Sequence, residues 1–315
     1  MKKCSVIMGL ILVLCLATLA QADVFVGDKG TGMIWQYNNA GGAKTLFADV
    51  TLNGLSSPTH MDVVGDLLYI NTASGVAYYN LITKAYVGMA TSVGRNAMAV
   101  DTVNKVLFTA SGNTIYATDI SGSTAGAAAQ IATTPDTAVA LTAAPEANGN
   151  VIAYVDVSGA DRFKEYTATG TFVHDHTYGI ANYEGKQDLT YTVGRAVYIR
   201  GSDGGTGGSG LTLTMNIVGG ASANLVIDSR AAYWGAVSTA LDGTTAFYAV
   251  NPAAGGHEIW SIADDTFTQT LFISDNSMSQ VWGIAFYNPV PVPEPATMSL
   301  LVIGGVAALI RRRKK

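Results

Sequence analysis

The stretch Gly65-Asp66-Leu67-Leu68-Tyr69-Ile70, followed by Val76-Ala77-Tyr78-Tyr79, decides the fold of this chain. A turn residue opens a short apolar run, a polar break follows, and an aromatic run returns. Runs of this length, bounded by Gly, Asn, Asp and Ser, read as β-strands of a hairpin. The pattern recurs around Asn104, Gly149, Gly194 and Gly243, at spacings of 39, 45, 45 and 49 residues. The first runs are Val106-Leu107-Phe108, Val151-Ile152-Ala153-Tyr154-Val155, Ala196-Val197-Tyr198-Ile199 and Ala246-Phe247-Tyr248-Ala249-Val250. Their partners are Thr114-Ile115-Tyr116, Arg162-Phe163-Lys164-Glu165-Tyr166, Leu211-Thr212-Leu213 and Glu258-Ile259-Trp260.

A period of 40 to 50 residues with about four short strands marks a β-propeller. Two incomplete units flank the five internal ones. Met33-Ile34-Trp35-Gln36-Tyr37 has only Val24-Phe25-Val26 before it, and Val281-Trp282-Gly283-Ile284-Ala285-Phe286-Tyr287 has no partner after it. One blade closed by strands from both ends accounts for both and brings the expected blade count to six. Closure also removes exposed sheet edges. The expected fold class is therefore all-β, with a β-sandwich or β-solenoid as the alternative reading of the same hairpins. The repeats loosely resemble NHL and SMP-30-like propellers, a resemblance of architecture carried by no diagnostic motif.

The composition agrees. Of 315 residues, 13% are charged and 49% hydrophobic, with 35 glycines. Disorder needs high charge and few apolar residues, and helical bundles need more Glu, Lys, Arg and Leu than this chain holds. Both cysteines, Cys4 and Cys15, lie in the first 22 residues. That segment starts Met1-Lys2-Lys3, continues as an apolar run and ends Ala20-Gln21-Ala22, the pattern of a secretory signal peptide. Cleavage between Ala22 and Asp23 leaves a body without disulfides or thiol chemistry. Residues 23–288 hold 11 Lys or Arg and 22 Asp or Glu, a net charge of −11. So acidic a body disfavours nucleic acid as a partner.

The other end reads Pro291-Val292-Pro293-Glu294-Pro295, an apolar stretch from Ala296 to Ile310, and Arg311-Arg312-Arg313-Lys314-Lys315. Fifteen residues make a helix of about 22 Å, a short transmembrane helix against a hydrocarbon core of about 30 Å. The terminal cations place the tail in the cytoplasm and the body outside. The alternating prolines keep residues 291–295 extended and accessible.

Together these features resemble the PEP-CTERM sorting signal of Gram-negative bacteria. The resemblance implies an exosortase that recognises Val292, Pro293, Glu294 and Pro295, with Arg311, Arg312 and Arg313 as the stop signal. It implies a precursor anchored in the inner membrane, passed through the secretion machinery to the cell surface or extracellular matrix. The family is associated with exopolysaccharide and biofilm formation. The expected domains are a signal peptide (1–22), an exported propeller (23–288) and the sorting signal (289–315).

In a propeller, the segments that enter the innermost strands converge at one end of the axis. They carry His60, Asn96, Asp136, Gln187 with Asp188, Trp234, and Gln280 with Trp282. Polar side chains with two tryptophans suit a glycan or small polar ligand. Asn96, Asp136 and Asp188 supply the oxygen ligands that calcium takes. Otherwise the ring only satisfies loop backbone and closes the channel, and no cofactor is expected. His174-Asp175-His176 puts two imidazoles on one strand face, but a zinc site needs a third ligand, so a solvated edge strand is expected there. The chain has no Gly-x-Ser-x-Gly elbow or EF-hand loop. Gly201–Gly210 lacks the Lys-Ser/Thr ending of a phosphate loop and reads as a surface loop. These readings favour a non-enzymatic surface or matrix protein. The alternative is a propeller enzyme of lactonase or glycan-lyase type with calcium on the axis.

Overall fold

A computed structural model describes residues 23–38, 43–93, 96–144, 149–156, 162–177, 187–192, 195–200, 211–216, 225–228, 237–239, 245–251, 256–263, 266 and 268–287. Both targeting segments therefore lie outside the described residues, as do the 201–210 loop and the turn residues Gly194 and Gly243. Asp23–Tyr287 forms one compact unit. Among the described residues no helix is long and apolar enough to cross a membrane.

The body is an all-β propeller of four-stranded antiparallel sheets. The chain starts with β1 (Asp23–Asp28), β2 (Met33–Asn38) and β3 (Lys44–Asp49). Five sheets of four consecutive strands follow. They are β4 (Met61–Val64), β5 (Leu67–Thr72), β6 (Gly75–Asn80) and β7 (Tyr86–Thr91), then β8 (Ala97–Asp101), β9 (Val106–Ser111), β10 (Thr114–Asp119) and β11 (Ala129–Thr133). Next come β12 (Thr137–Ala144), β13 (Asn150–Asp156), β14 (Arg162–Tyr166) and β15 (Phe172–Thr177), then β16 (Gln187–Thr192), β17 (Arg195–Arg200), β18 (Leu211–Asn216) and β19 (Leu225–Asp228). The fifth holds β20 (Val237–Thr239), β21 (Thr245–Val250), β22 (His257–Ala263) and β23 (Gln269–Asp275).

The last strand, β24 (Val281–Tyr287), returns to pair with β1, giving a composite sheet of order β24-β1-β2-β3. Contiguous blades thus number five, and the remaining sheet is shared between the two ends of the body. The quoted stretch spans the β4–β5 turn, β5 and β6, with Gly65 at φ 57°, the left-handed region that favours glycine. Gly149 closes the β12–β13 turn at φ 76° for the same reason.

The innermost strands touch in the cyclic order β24, β4, β8, β12, β16, β20 and back to β24. They pack closely: a Cβ on Gly283 would lie 2.5 Å from the carbonyl oxygen of Thr59. Glycine is required there by the approach of one inner strand to the next. The core lies between neighbouring sheets rather than inside any one of them. Phe25, Ile34 and Phe47 of the composite sheet meet Leu68, Ile70 and Tyr79 of the next. Phe247 and Ile259 meet its other face at Val24, Ile284 and Phe286. A strand buried on both faces reads as a continuous apolar run, which is how β5, β13 and β21 look in the sequence.

Two polar joints close the composite sheet. Buried Asp28, at the end of β1, accepts from Ser279 Oγ (2.7 Å), Ser279 N (3.0 Å), Gln280 N (3.0 Å) and Gly30 N (3.1 Å). Burial alone would raise its pKa, but these donors, led by Ser279, hold it below the ordinary value. Asn251 donates to the Val281 carbonyl at 2.8 Å and accepts the Val281 N–H at 2.9 Å.

Candidate functional site

The inner strands start at one end of the axis, and the expected ligand residues sit at those starts. The structure brings four of them to one cavity of about 440 Å³: His60 ahead of β4, Asn96 ahead of β8, Asp188 in β16 and Trp282 in β24. Lys29, Thr59 and Asn71 also line it. Asp136 and Gln280 are exposed and do not line the cavity. Asp136 instead caps its own loop, its carboxylate accepting Thr137 N at 2.8 Å and its carbonyl accepting Thr134 Oγ1 at 2.6 Å. Gln187 opens β16, and Trp234 lies outside the described residues.

The centre of the site is a charge pair across the ring. His60 Nδ1 lies 2.5 Å from Asp188 Oδ1, and its Nε2 lies 3.1 Å from Asp62 Oδ2. In the cyclic order β4 and β16 stand opposite each other, so the pair spans the axis. Burial would lower the pKa of this imidazole, but Asp188 and Asp62 outweigh it and hold it well above 6.5. A carboxylate against each ring nitrogen favours the imidazolium form of His60, with an N–H directed to each. In that form the ring has no lone pair with which to take a proton. Asp188 also accepts Leu189 N at 3.0 Å, and Asp62 accepts Val100 N from the next sheet at 3.1 Å.

Around this pair the walls are mixed. The Lys29 ammonium stands 3.4 Å from the centroid of the Trp282 ring, a cation–π contact. Asn71, 2% exposed, donates Nδ2 to Thr59 Oγ1 at 3.0 Å, while its Oδ1 has no hydrogen-bond partner. Asn71, Lys29 and Asp62 are the site residues that sequence reading missed. That reading followed only the segments entering the inner strands, whereas Asn71 lies near the end of β5, Lys29 in the β1–β2 turn and Asp62 inside β4 rather than ahead of it. The available signal was an asparagine directly after the apolar run Leu67–Ile70.

The His174-Asp175-His176 segment forms β15, the outer edge strand of its sheet. Asp175 pairs with Lys164 Nζ at 2.6 Å and His174 is exposed, while the His176 side chain lies outside the described residues. Among the described residues no group of three or more His, Cys, Asp or Glu side chains is arranged to hold a metal ion.

Comparison with known proteins places both parts of the chain. The PEP-CTERM protein-sorting motif matches residues 291–314, a span holding Val292–Pro295 and Arg311–Arg313. The body resembles solved β-propellers. One is a chain in the crystal structure of a nidogen/laminin complex, with TM-score 0.61 and 12% identity, covering 84% of this chain and 98% of that one. Another is TolB from Acinetobacter baumannii, with TM-score 0.62 and 11% identity, covering 85% of this chain and 66% of that one. At such identities the likeness is one of fold. No curated protein matches in sequence. The chain thus carries a PEP-CTERM motif behind a propeller body, and the motif implies an exported, membrane-anchored precursor sorted by an exosortase to the cell surface.

Proposed function

We propose that this protein is exported behind a signal peptide cleaved at Ala22–Asp23 and held by a short C-terminal helix in the inner membrane. An exosortase then releases it to the cell surface or matrix, where the propeller contacts a glycan or surface protein without catalysing a reaction. The composite sheet counts in this reading as a sixth blade that completes the ring. The observation that carries the proposal is the sorting motif at 291–314. The state of the mouth supports its non-enzymatic part. The one histidine there is committed on both nitrogens, and an imidazolium 2.5 Å from Asp188 repels a divalent cation that would use the same carboxylate. A lactonase or glycan-lyase chemistry with axial calcium would need that carboxylate free.

Two measurements test this. In hosts with and without an exosortase, the mass of the exported protein should show loss of the tail near Pro293–Pro295 only where the enzyme is present. Retention of residues 296–315 in both hosts overturns the sorting step. The exported form should bind features on a glycan array or a surface-protein fraction, and deletion of the gene should weaken biofilm matrix. A calcium-dependent rise in melting temperature, with hydrolysis of lactone or glycan substrates, would favour the enzyme instead.

A further inference from the structure

The two chain ends of the body leave the ring together, at the end away from the mouth. β24 starts in the cavity wall at Trp282 and runs to Tyr287, and its register with β1 pairs Tyr287 with Asp23. The Tyr287 hydroxyl donates to Asp66 Oδ1 of the β4–β5 turn at 2.7 Å, and the Asp66 carbonyl accepts the Leu81 N–H of the β6–β7 turn at 2.8 Å. The point where the tail begins is thus tied to turns of the neighbouring sheet. The β8–β9 turn continues the same surface, since Val64 at the end of β4 and Val100 near the end of β8 pack in one cluster.

Two of these turns hold aliphatic side chains out to solvent: Ile82 is 67% exposed in the β6–β7 turn and Val103 is 70% exposed in the β8–β9 turn. Residues 288–292 separate Tyr287 from the Pro293-Glu294-Pro295 motif, and in any conformation they cover at most about 20 Å. A compact body of this length has a radius of gyration of about 18 Å. An enzyme that grips the motif therefore works within about one body radius of the tail's exit and meets the turns around it. Lipid fits this face less well. Residues 23–288 carry a net charge of −11, which anionic headgroups repel. Two separated aliphatics also make no continuous apolar face of the kind that lies in a membrane interface.

We propose that the end of the ring opposite the mouth is the docking surface for the membrane-embedded enzyme that processes the tail, with Ile82 and Val103 as its apolar contacts. This rests on the exosortase reading above and names the face of the body that the enzyme meets. The motif supplies recognition, and the turns around Tyr287 add a contact that the short spacer makes unavoidable. Burying the two side chains against the enzyme removes apolar surface from water and favours the complex. The mouth, at the other end, stays clear of the enzyme throughout.

The test is a pulse-chase of the full chain in a host with an exosortase, reading the half-time of tail loss. The double variant Ile82→Glu/Val103→Glu should slow that loss about fivefold or more. Leu52→Glu is the control: Leu52 is exposed at the mouth end, in the turn whose Val50 N–H donates to the Gly32 carbonyl, and its variant should stay within about twofold of the unaltered chain. Inserting about twelve Gly and Ser residues between Asn288 and Pro289 moves the motif away by about 20 Å on average. With that spacer the double variant should be processed as fast as the spacer-bearing parent. Unchanged processing of the double variant at native spacing overturns the docking surface. So does a slowing that the spacer leaves in place, because the defect would then be one of folding or export. Flotation of the body with phosphatidylglycerol vesicles, lost in the double variant, would assign the face to lipid and also overturn it. If the unaltered chain keeps its tail in this host, the sorting reading itself fails, and the docking surface with it.

Discussion

The seam of the propeller and its mouth are both built from buried polar groups, and they differ in how those groups are used. At the seam, Asp28 and Asn251 tie β24 to the rest of the ring, and each oxygen meets an N–H or O–H. At the mouth, His60 and Asp188 satisfy each other across the axis, but Asn71 keeps an acceptor unpaired. A saturated network stabilises one geometry and has nothing left to offer a ligand. An unsaturated one leaves a buried polar atom unpaired and weakens the fold locally. The seam is thus saturated throughout, and the mouth combines a structural brace with one buried, unsatisfied acceptor.

The strongest way to break this comparison is to remove the brace. His60→Leu leaves two facing carboxylates without their cation and should cost about 3–5 kcal/mol in denaturant unfolding. The double variant His60→Leu/Asp188→Leu should recover part of that loss. A cost below about 1 kcal/mol for the single variant would mean the pair does not hold the ring. At the seam, Asp28→Ala strands the Ser279 and Gln280 donors and should cost about 2–3 kcal/mol. If stability were unchanged, β24 would be held by its ladder with β1 alone.

The two asparagines give a sharper and smaller contrast. Asn251→Leu removes three buried contacts and should cost about 2 kcal/mol, whereas Asn71→Leu removes one bond and one unsatisfied oxygen and should fall within about 1 kcal/mol of wild type. Equal losses would show that Asn71 is as structural as Asn251. The smallest effect is in pH. Asp28 is held below its ordinary value, so its contribution is complete above about pH 4 and is lost as pH falls through the lowered pKa. His60 is held above 6.5, so its contribution is complete below pH 6.5 and is lost as pH rises through the raised pKa. Tyr69 and Tyr287, pushed up to about 12 by burial, add a further loss only above pH 10. Thermal melts across pH should show Asp28→Asn flattening the acid limb and His60→Gln flattening the limb between pH 6.5 and 10. If either variant flattened the opposite limb, the assignment of that group would fail.

Much of the fold was legible in the sequence because its signals are local. Gly65, Asn104 and Gly149 mark hairpin turns within a few residues of the strands they join. The incomplete units at Met33–Tyr37 and Val281–Tyr287 pointed to a shared sheet, and β24 does join β1 and β2 in one. The site was less legible. His60, Asn96, Asp188 and Trp282 do share a cavity, but Asp136 and Gln280 turn to solvent at the same kind of position. A strand-entry position brings a residue near the axis, while the φ and ψ of its loop decide where its side chain goes.

By itself the sequence determined an all-β repeat body, its closure from both ends and a sorting motif at 291–314. Alternation, turn chemistry and an ordered string of prolines, apolar residues and arginines are all written along the chain. Only the tertiary structure decided that His60 meets Asp188, 128 residues away, and that Asn71 is left with an empty acceptor. Those facts depend on which strands stand opposite around a ring and on a count of donors within a few ångströms, and neither quantity has a sequence period.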